Sequence, residues 1–280
     1  MTIRPRSKRL TGAQVRRELL DAVGVLLSQA RSALFITGAG LSTDAGVPSY
    51  RGVLGLQRKR PEDGKVFEAA LAIETLHAKP QMTWKYLLQM EQNIRAAKPT
   101  RGHEIIAAWE RDLNRAAVMT VNIDRMHQRA ESRNVIEMHG ALFDLRCTRC
   151  EITTRHNSFD RLDMPPRCAT CTSVLRPDMP LFGEPLPEEP FTRLQDQLDQ
   201  GFDLIISVGV TTMYSYLARP ILLARSEGLP TVEIGEVNTE VSDLVDFRFK
   251  GNATTVLSQI WDAYKQMPRK TRPGAAVPPE

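Results

Sequence analysis

The chain has 280 residues, of which 42% are hydrophobic and 25% are charged, the composition of an ordinary globular protein with a substantial core. No apolar run approaches the ~20 residues of a membrane span, and the basic N-terminus lacks the apolar stretch of a signal peptide. These features favour a cytoplasmic protein over a membrane protein.

The net charge of +4 comes from the two ends of the chain. Residues 1–17 carry six basic side chains and no acidic one, and residues 265–280 carry a net +3, so the remainder carries −5. A nucleic-acid-binding protein more often carries its basic residues on the folded surface. We therefore expect flexible tails at 1–10 and 268–280, with weak contact between the tails and an acidic partner as the alternative.

Apolar runs of strand length alternate with stretches of helical periodicity. A helix is predicted from Thr11. The predicted strands are Ala33–Thr37, Ala116–Val121, Val135–Met138, Leu204–Val208 and Thr231–Ile234. Further helices are predicted at Trp84–Ala97, His103–Leu113, Met213–Ser226 and Thr254–Tyr264. This alternation predicts an α/β fold in which helices cover both faces of a parallel sheet.

Two regions interrupt the alternation. Residues 53–99 are mostly polar and helical, and residues 146–177 are rich in cysteine, proline and arginine. Both are interpreted as insertions that together form a smaller second lobe. A cleft between two such lobes is a natural place for a ligand.

A glycine-rich turn, Gly38-Ala39-Gly40, follows the first predicted strand and leads to Ser42. Glycines after a buried strand let the backbone approach a phosphate, and the following helix would present N–H donors to it. Thr43 stands where the third glycine of the common G-x-G-x-x-G motif would lie. Taken alone, the motif therefore fits a dinucleotide site and a purely structural tight turn equally well.

All four cysteines lie in one segment, as Cys147-x2-Cys150 and Cys168-x2-Cys171. This paired spacing is typical of a zinc ribbon, in which four thiolates hold one tetrahedral ion. Two disulfides would suit an oxidising compartment better than a cytoplasmic one, and four unrelated cysteines would not be paired in this way. Because four protein ligands leave no open position, the zinc is predicted to be structural.

Polar residues follow two other predicted strands: Asn122 and Asp124 after one, and His139 after the next. In a parallel sheet both strand ends face the same crevice, so these side chains can hold a ribose and accept a proton from its hydroxyl. A strand-end Asn or Asp also often caps a helix, and a single histidine is often inert.

In this order, six motifs resemble the sirtuin (Sir2-like) family of NAD-dependent protein deacylases, in its bacterial form. They are Gly38-Ala39-Gly40-x-Ser42 with Gly46-Val47-Pro48-x-Tyr50-Arg51-Gly52, Asn122-Ile123-Asp124-x-x-His127, His139-Gly140, the cysteine pairs, Arg176-Pro177 and Phe182-Gly183-Glu184. The resemblance extends from about Thr11 to Tyr264.

The resemblance implies a discontinuous Rossmann-like NAD-binding domain at 11–52, 100–145 and 178–265. The small lobe would combine a helical insertion at 53–99 with a zinc module at 146–177. NAD would be a co-substrate: the oxygen of an acyl-lysine displaces nicotinamide and gives an imidate-type intermediate. The products would be nicotinamide, free lysine and O-acyl-ADP-ribose.

The resemblance also assigns roles to residues. His139 would be the general base on a ribose hydroxyl, Asn122 would position the ribose and an ordered water, and Asp124 would bind the nicotinamide amide. The other expected NAD contacts are Gly38, Ala39, Gly40, Ser42, Tyr50, Arg51, Gly209, Thr211 and Gly235. The expected substrate strand is Met179, Pro180, Leu181 and Phe182.

Three positions depart from the family pattern in the expected NAD site. Val121 stands where the family usually has Gln. Val210 replaces the Thr of the usual Gly-Thr-Ser, and Gly235 replaces the Asn of the usual Ile-Asn. Each lost polar contact is expected to weaken NAD binding by about 0.5–1.5 kcal/mol unless neighbours such as Thr211 or Asn238 compensate. The expected partner is an acyl-lysine protein or peptide, and the sequence predicts no oligomeric state.

Relatives that remove succinyl groups carry Tyr-x-x-Arg on a helix of the small lobe, where Leu87 and Met90 stand here. An apolar pair does not recognise a carboxylate, so neutral acyl groups are expected. Two other functions stay open: mono-ADP-ribosyl transfer, and a catalytically weak sensor of NAD or ADP-ribose.

Overall fold

The computed structural model describes residues 12–48 and 62–268, apart from the side chains of residues 62–65. The helices of this part are α1 (Gly12–Gln29), α2 (Ala39–Thr43), α3 (Glu62–Ala70), α4 (Ile73–Ala78), α5 (Pro80–Ala96), α6 (Arg101–Asp112), α7 (Met126–Arg129), α8 (Glu188–Asp199), α9 (Ser215–Ser226) and α10 (Ala253–Gln266). The strands are β1 (Ser32–Thr37), β2 (Arg115–Thr120), β3 (Val135–Glu137), β4 (Ala141–Cys147), β5 (Thr153–Arg155), β6 (Leu175–Asp178), β7 (Leu204–Val208), β8 (Thr231–Gly235) and β9 (Phe247–Lys250).

Six strands form one parallel sheet in the order β3-β2-β1-β7-β8-β9. The strand order reverses between β1 and β7, as in a doubly wound Rossmann-like sheet, whose ligands bind outside the carboxyl ends of the strands at this point. No helix among the described residues is long and apolar enough to cross a membrane.

Helices cover both faces of this sheet because successive residues of each strand point to opposite sides. Along β1, Ala33 and Phe35 pack with α1, α6 and α10, whereas Leu34 and Ile36 pack with α8 and α9. Phe35 also stacks on Trp109 of α6, with ring centroids 5.7 Å apart. The α/β fold with a helix layer on each face is therefore confirmed.

A third core lies under the small sheet β5-β4-β6, which is antiparallel. Phe67, Leu87 and other residues of α3–α5 pack there with residues of β4 and of the cysteine-rich segment. The indole N–H of Trp84 donates a hydrogen bond to the Leu175 carbonyl at 2.9 Å. The predicted helical insertion and the cysteine-rich module thus contribute to one core, although the sheet extends beyond 146–177 at both ends.

The five predicted strands are present, within about one residue of their predicted bounds. Strand β9 and helix α8 were not predicted. Strand β9 has four residues at the edge of the sheet, too few for a clear alternation, and α8 has Pro190 in its first turn. The predicted tails lie outside the described residues, except for residue 268.

The backbone segments that follow the carboxyl ends of β1 and β7, here called the exits of these strands, are in direct contact. The Gly40 N–H donates to the Gly209 carbonyl at 2.7 Å, and the Gly209 N–H donates to the Ile234 carbonyl at 2.8 Å. A Cβ added to Gly209 would lie 2.5 Å from the Leu41 backbone nitrogen, and one added to Gly40 would lie 2.7 Å from the Gly209 oxygen. Only glycine therefore fits at this crossing.

We expect Gly209→Ala to destabilise the protein by about 2 kcal/mol more than Gly228→Ala, because the first substitution adds a backbone clash. Both glycines have a left-handed φ, +63° for Gly209 and +70° for Gly228, but a Cβ on Gly228 meets nothing within 4 Å. Gly228→Ala thus measures the cost of the left-handed backbone alone, about 1 kcal/mol. Urea denaturation of both variants checks this, and equal losses would contradict the close approach.

Candidate active site

The glycine-rich turn lies at the carboxyl edge of the sheet, next to the switch point. The Gly38 N–H donates to the Val208 carbonyl at 3.1 Å, and a Cβ on Gly38 would lie 2.8 Å from Cα of Val210. Ala39 and Gly40 begin the short helix α2 and are half-buried. Packing against the segment that follows β7 thus requires both glycines, and the half-buried backbone of Ala39 and Gly40 is the part of the turn that a dinucleotide phosphate can approach.

Asn122 and Asp124 leave β2 and bond to this turn. The side-chain amide of Asn122 donates to the Gly38 carbonyl at 3.0 Å. Asp124 accepts from the Ser42 hydroxyl at 2.5 Å through one oxygen and from the Met126 N–H at 2.9 Å through the other. Burial raises the pKa of Asp124, and these two hydrogen bonds oppose that effect. The structure thus brings together four of the predicted residues: Gly38, Ser42, Asn122 and Asp124.

His127, the last residue of the Asn-x-Asp motif, lies beneath the site rather than in it. Its Nε2 lies 2.8 Å from the Thr37 hydroxyl, and its ring packs edge-on against His103, with centroids 4.9 Å apart. Burial lowers the pKa of His127 well below 6.5, and that of His103 to about 4, with the Arg129 charge adding to the second shift. Both histidines are therefore neutral core residues at pH 7.

His139 follows β3 and is half-buried, so that part of its ring is exposed. Burial lowers the pKa of His139, while a hydrogen bond with the backbone of Val121 acts in the opposite direction. The imidazole is therefore unprotonated at neutral pH, as a general base must be. Its Nε2 lies 2.6 Å from the hydroxyl oxygen of Tyr216.

The segment after β6 runs directly beside His139. Gly140 has φ +61°, and a Cβ on it would lie 2.0 Å from the Asp178 carbonyl oxygen. Arg176 and Glu184, at the two ends of the segment, form a bidentate ion pair with both contacts at 2.6 Å. Glu184 also accepts a hydrogen bond from the Leu181 N–H at 2.7 Å. Met179, the first of the predicted substrate residues, thereby lies next to Gly140, the residue that follows the histidine.

Not every backbone group of that segment faces outward. The Phe182 N–H donates to the Leu71 carbonyl and the Phe182 carbonyl accepts from the Ile73 N–H, both at 3.0 Å. Its side chain is 38% exposed, whereas Met179 and Leu181 are buried. The carbonyl of Pro180, which has no N–H, lies between them.

The predicted NAD contacts Thr211 and Gly235, and Val210, which departs from the family pattern, lie after β7 or at the end of β8 and differ in their surroundings. Val210 is buried in the apolar core shared with α9, and Thr211 is exposed. A Cβ on Gly235 would lie 4.0 Å from its nearest neighbour, the Gly209 backbone, so it would cause no clash. Tyr50 and Arg51 lie outside the described residues.

Tyr214 and Tyr216, which sequence reasoning missed, form an aromatic cluster with His139. Their rings stack with centroids 5.5 Å apart, and the His139 ring lies 6.1 Å from one and 6.2 Å from the other. Tyr214 is 48% exposed. No local pattern predicts this contact, because Tyr216 lies 77 residues from His139 in sequence.

The four cysteines converge at the end of β4, and their sulfur atoms all lie within 4.8 Å of one another. The Cys147–Cys171 and Cys150–Cys168 sulfurs are 3.4 and 3.6 Å apart, so neither pair is a disulfide. Bonds of ~2.3 Å to one tetrahedral zinc would place sulfurs roughly 3.8 Å apart. The cluster therefore fits a structural zinc ion.

The two cysteine pairs form similar turns. Glu151 follows the first pair with φ 58°, and Thr172 follows the second with φ 60°. The Cys147 N–H donates to the Ile152 carbonyl, and the Cys168 N–H donates to the Ser173 carbonyl. Two matching knuckles facing each other are the expected framework of a zinc ribbon.

Comparison with known proteins identifies the family. The sequence profile of the Sir2 family matches residues 38–214. The chain is 39% identical over 244 residues to NAD-dependent protein deacylase 2 of Pseudomonas aeruginosa, a match that covers 86% of this chain and 95% of that protein. It is 31% identical over 232 residues to NAD-dependent protein deacylase of Aquifex aeolicus, covering 82% and 94%. The chain belongs to the Sir2 family.

Solved structures agree with this assignment. A Sir2 homologue in complex with NAD has a TM-score of 0.78 and 28% identity, and the match covers 88% of this chain and 94% of that one. A Sir2 protein with a deacetylated p53 peptide and 3′-O-acetyl ADP ribose has a TM-score of 0.73 and 27% identity, covering 88% and 97%.

We expect one zinc ion per chain by elemental analysis, and we expect a chelator to unfold the small core, because the four thiolates organise a segment with little core of its own. Trp84 reports on this core, whereas Trp109 and Trp261 contact each other in the large one. Chelation should therefore shift the tryptophan emission maximum of the wild type to longer wavelength. The emission maximum of Trp84→Phe should shift much less. Absence of stoichiometric zinc would contradict the assignment.

Proposed function

We propose that the protein is an NAD-dependent protein-lysine deacylase that converts NAD and an acyl-lysine protein into nicotinamide, free lysine and O-acyl-ADP-ribose. Membership of the Sir2 family and relatives named NAD-dependent protein deacylase support this proposal. So does the complex of a Sir2 homologue with 2′-O-acetyl ADP ribose. The observation that carries it is a neutral, half-buried histidine bonded to the backbone of Val121, the neighbour of the Asn122 that contacts the glycine-rich turn.

His139 would act as the general base through Nε2. The Val121 backbone occupies the other ring nitrogen, so the lone pair for a ribose hydroxyl proton is on Nε2. Because burial keeps the ring neutral at pH 7, no proton has to leave it before the reaction. The position of His139 next to the 179–182 segment supports a meeting of ribose and acyl-lysine at this point.

Asn122 and Asp124 would hold the nicotinamide riboside part of NAD. The amide nitrogen of Asn122 is bonded to the Gly38 carbonyl, so its amide oxygen is the atom proposed to bind the ribose or an ordered water. Asp124 is fixed by Ser42 and Met126, and each carboxylate oxygen can accept one further hydrogen bond. We propose that it accepts from the nicotinamide amide.

The rest of NAD would lie along the strand exits. The turn from Gly38 to Ser42, with Arg51, would contact the phosphates and ribose, and Tyr50 would lie beside the nicotinamide pocket. Gly209, Thr211 and Gly235 would border the adenosine end. The proposed domain division follows from this placement: the Rossmann-like domain supplies the NAD site, and the zinc and helical lobe closes the cleft.

A sensor of NAD or ADP-ribose is the second candidate function, and the burial of Val210 favours it. Where the family has a polar threonine, this chain places an apolar side chain in the core under α9. That substitution removes a possible polar contact with NAD. ADP-ribosyl transfer has no comparable observation in its favour.

A neutral acyl group is the proposed substrate class. Leu87 and Met90 lie on α5 and are buried in the apolar core that also contains Val47, Met179 and Leu181. This core therefore adjoins the predicted substrate segment with apolar side chains. A carboxylate placed there would lose its hydration without gaining a cationic partner from either position.

Mass spectrometry of the purified protein with NAD and an acetyl-lysine peptide should detect O-acetyl-ADP-ribose. We expect His139→Ala to reduce its formation by about a hundredfold or more, since the general base is removed. His77→Ala is the matched control, because His77 is exposed on α4, and its rate should be that of the wild type. Stable NAD with intact ADP-ribose binding would favour the sensor, and an ADP-ribosylated protein would favour the transferase.

We expect butyryl-lysine peptide to be deacylated at least about tenfold more efficiently than succinyl-lysine peptide, measured as kcat/KM. The two acyl groups have the same number of carbon atoms, so the comparison isolates the cost of burying the succinyl carboxylate. Preference for the succinyl peptide would contradict the apolar interpretation of Leu87 and Met90.

A further inference from the structure

Tyr216 makes a direct side-chain contact with His139. The hydroxyl oxygen of Tyr216 lies 2.6 Å from Nε2 of His139, a short distance for a hydrogen bond. Tyr216 is on the first turn of α9, whereas His139 follows β3. The contact therefore joins helix α9 to the carboxyl edge of the sheet at the proposed base.

The partners of the ring define the direction of this hydrogen bond. The Val121 backbone interaction raises the pKa of His139, so a ring N–H donates to the Val121 carbonyl. Since Nε2 contacts Tyr216, that N–H is on Nδ1. In this neutral tautomer Nε2 carries the lone pair, and the phenol O–H donates to it.

The ring of Tyr216 is held by two aromatic neighbours. Tyr214 stacks on it with centroids 5.5 Å apart and ring planes within 4° of parallel, and Phe191 of α8 contacts it edge-on at 5.5 Å. The phenol hydroxyl is therefore directed at Nε2 by packing, as well as by its own hydrogen bond.

We propose that Tyr216 is a positioning residue for His139, whose phenol donates to Nε2 and holds the imidazole in the Nδ1–H tautomer until a ribose hydroxyl replaces the phenol. The catalytic part of this inference rests on the proposed function, but the hydrogen bond itself does not. Because Nε2 has a single lone pair, phenol and ribose hydroxyl are alternative donors to it.

The hydrogen bond also affects the protonation equilibrium of the His139 imidazole. The phenol donates to Nε2 of the neutral imidazole, and its oxygen accepts from Nε2–H of the imidazolium. The second of these hydrogen bonds has a charged donor and is the stronger one, so the contact favours the imidazolium. Removing the hydroxyl should therefore lower the pKa of His139. The other titratable ring near His139 is Tyr214, at 6.1 Å, and no ion pair involves His139 within the part of the chain that the structure describes.

The test is a pH titration of 15N-histidine-labelled protein by NMR, in the wild type, Tyr216→Phe and Tyr214→Phe. The His139 signals are assigned by their loss in His139→Ala. We expect the Nδ1–H tautomer for the neutral ring in the wild type and a midpoint about one pH unit lower in Tyr216→Phe, since the imidazolium loses a charge-assisted hydrogen bond. Tyr214→Phe keeps the stacked rings and should leave the midpoint unchanged.

Two NMR results would overturn the proposal. One is an unchanged midpoint and tautomer in Tyr216→Phe, and the other is an equal shift in Tyr214→Phe. Thermal unfolding of both variants checks that the fold is retained, which the loss of one hydroxyl should permit. None of these measurements requires turnover, so failure of the proposed deacylation would be recognised separately.

Kinetics provide the second readout. The acid limb of the pH profile of kcat/KM for NAD should move to lower pH in Tyr216→Phe by the same amount as the NMR midpoint, because His139 must be neutral to act. On the plateau, kcat should stay within about threefold of the wild type, since the phenol takes no part in the proton transfer. A hundredfold loss of kcat on the plateau would overturn the positioning role.

Discussion

The site depends on one backbone contact, the crossing of the β1 and β7 exits at Gly40 and Gly209. The 2.7 Å hydrogen bond between them leaves no room for a Cβ on either residue. This close approach brings α2 against the switch point of the sheet, where Gly38 can bind Asn122 and Ser42 can bind Asp124. The positions of the proposed NAD-binding side chains therefore follow from a steric requirement on two glycines.

Three histidines, His103, His127 and His139, differ in role because they differ in burial and partners. His103 and His127 are completely enclosed, and burial lowers the pKa of both, so they serve as neutral core residues below β1. His139 is only half-buried, and its two ring nitrogens are engaged by Val121 and Tyr216. Exposure and a defined tautomer, rather than residue type, distinguish the proposed base from its structural neighbours.

The sequence predicted the features that have a local signature. The cysteine spacing predicted the thiol cluster, and apolar runs predicted five strands of the main sheet. Strand β9 and helix α8 gave weaker signals, since one is a four-residue edge strand and the other begins with prolines and acidic residues. The Tyr216–His139 contact and the pairing of Phe182 with Leu71 and Ile73 depend on tertiary packing across long stretches of chain, which no local pattern encodes.

The most direct test of this account is a crystal structure with a non-hydrolysable NAD analogue and an acetyl-lysine peptide. We predict that the pyrophosphate lies against the Gly38–Gly40 turn and that a ribose hydroxyl lies within hydrogen-bonding distance of His139 Nε2. The acyl-lysine should enter beside residues 179–182. A dinucleotide bound away from the β1–β7 crossing, or a ribose out of reach of His139, would contradict the account.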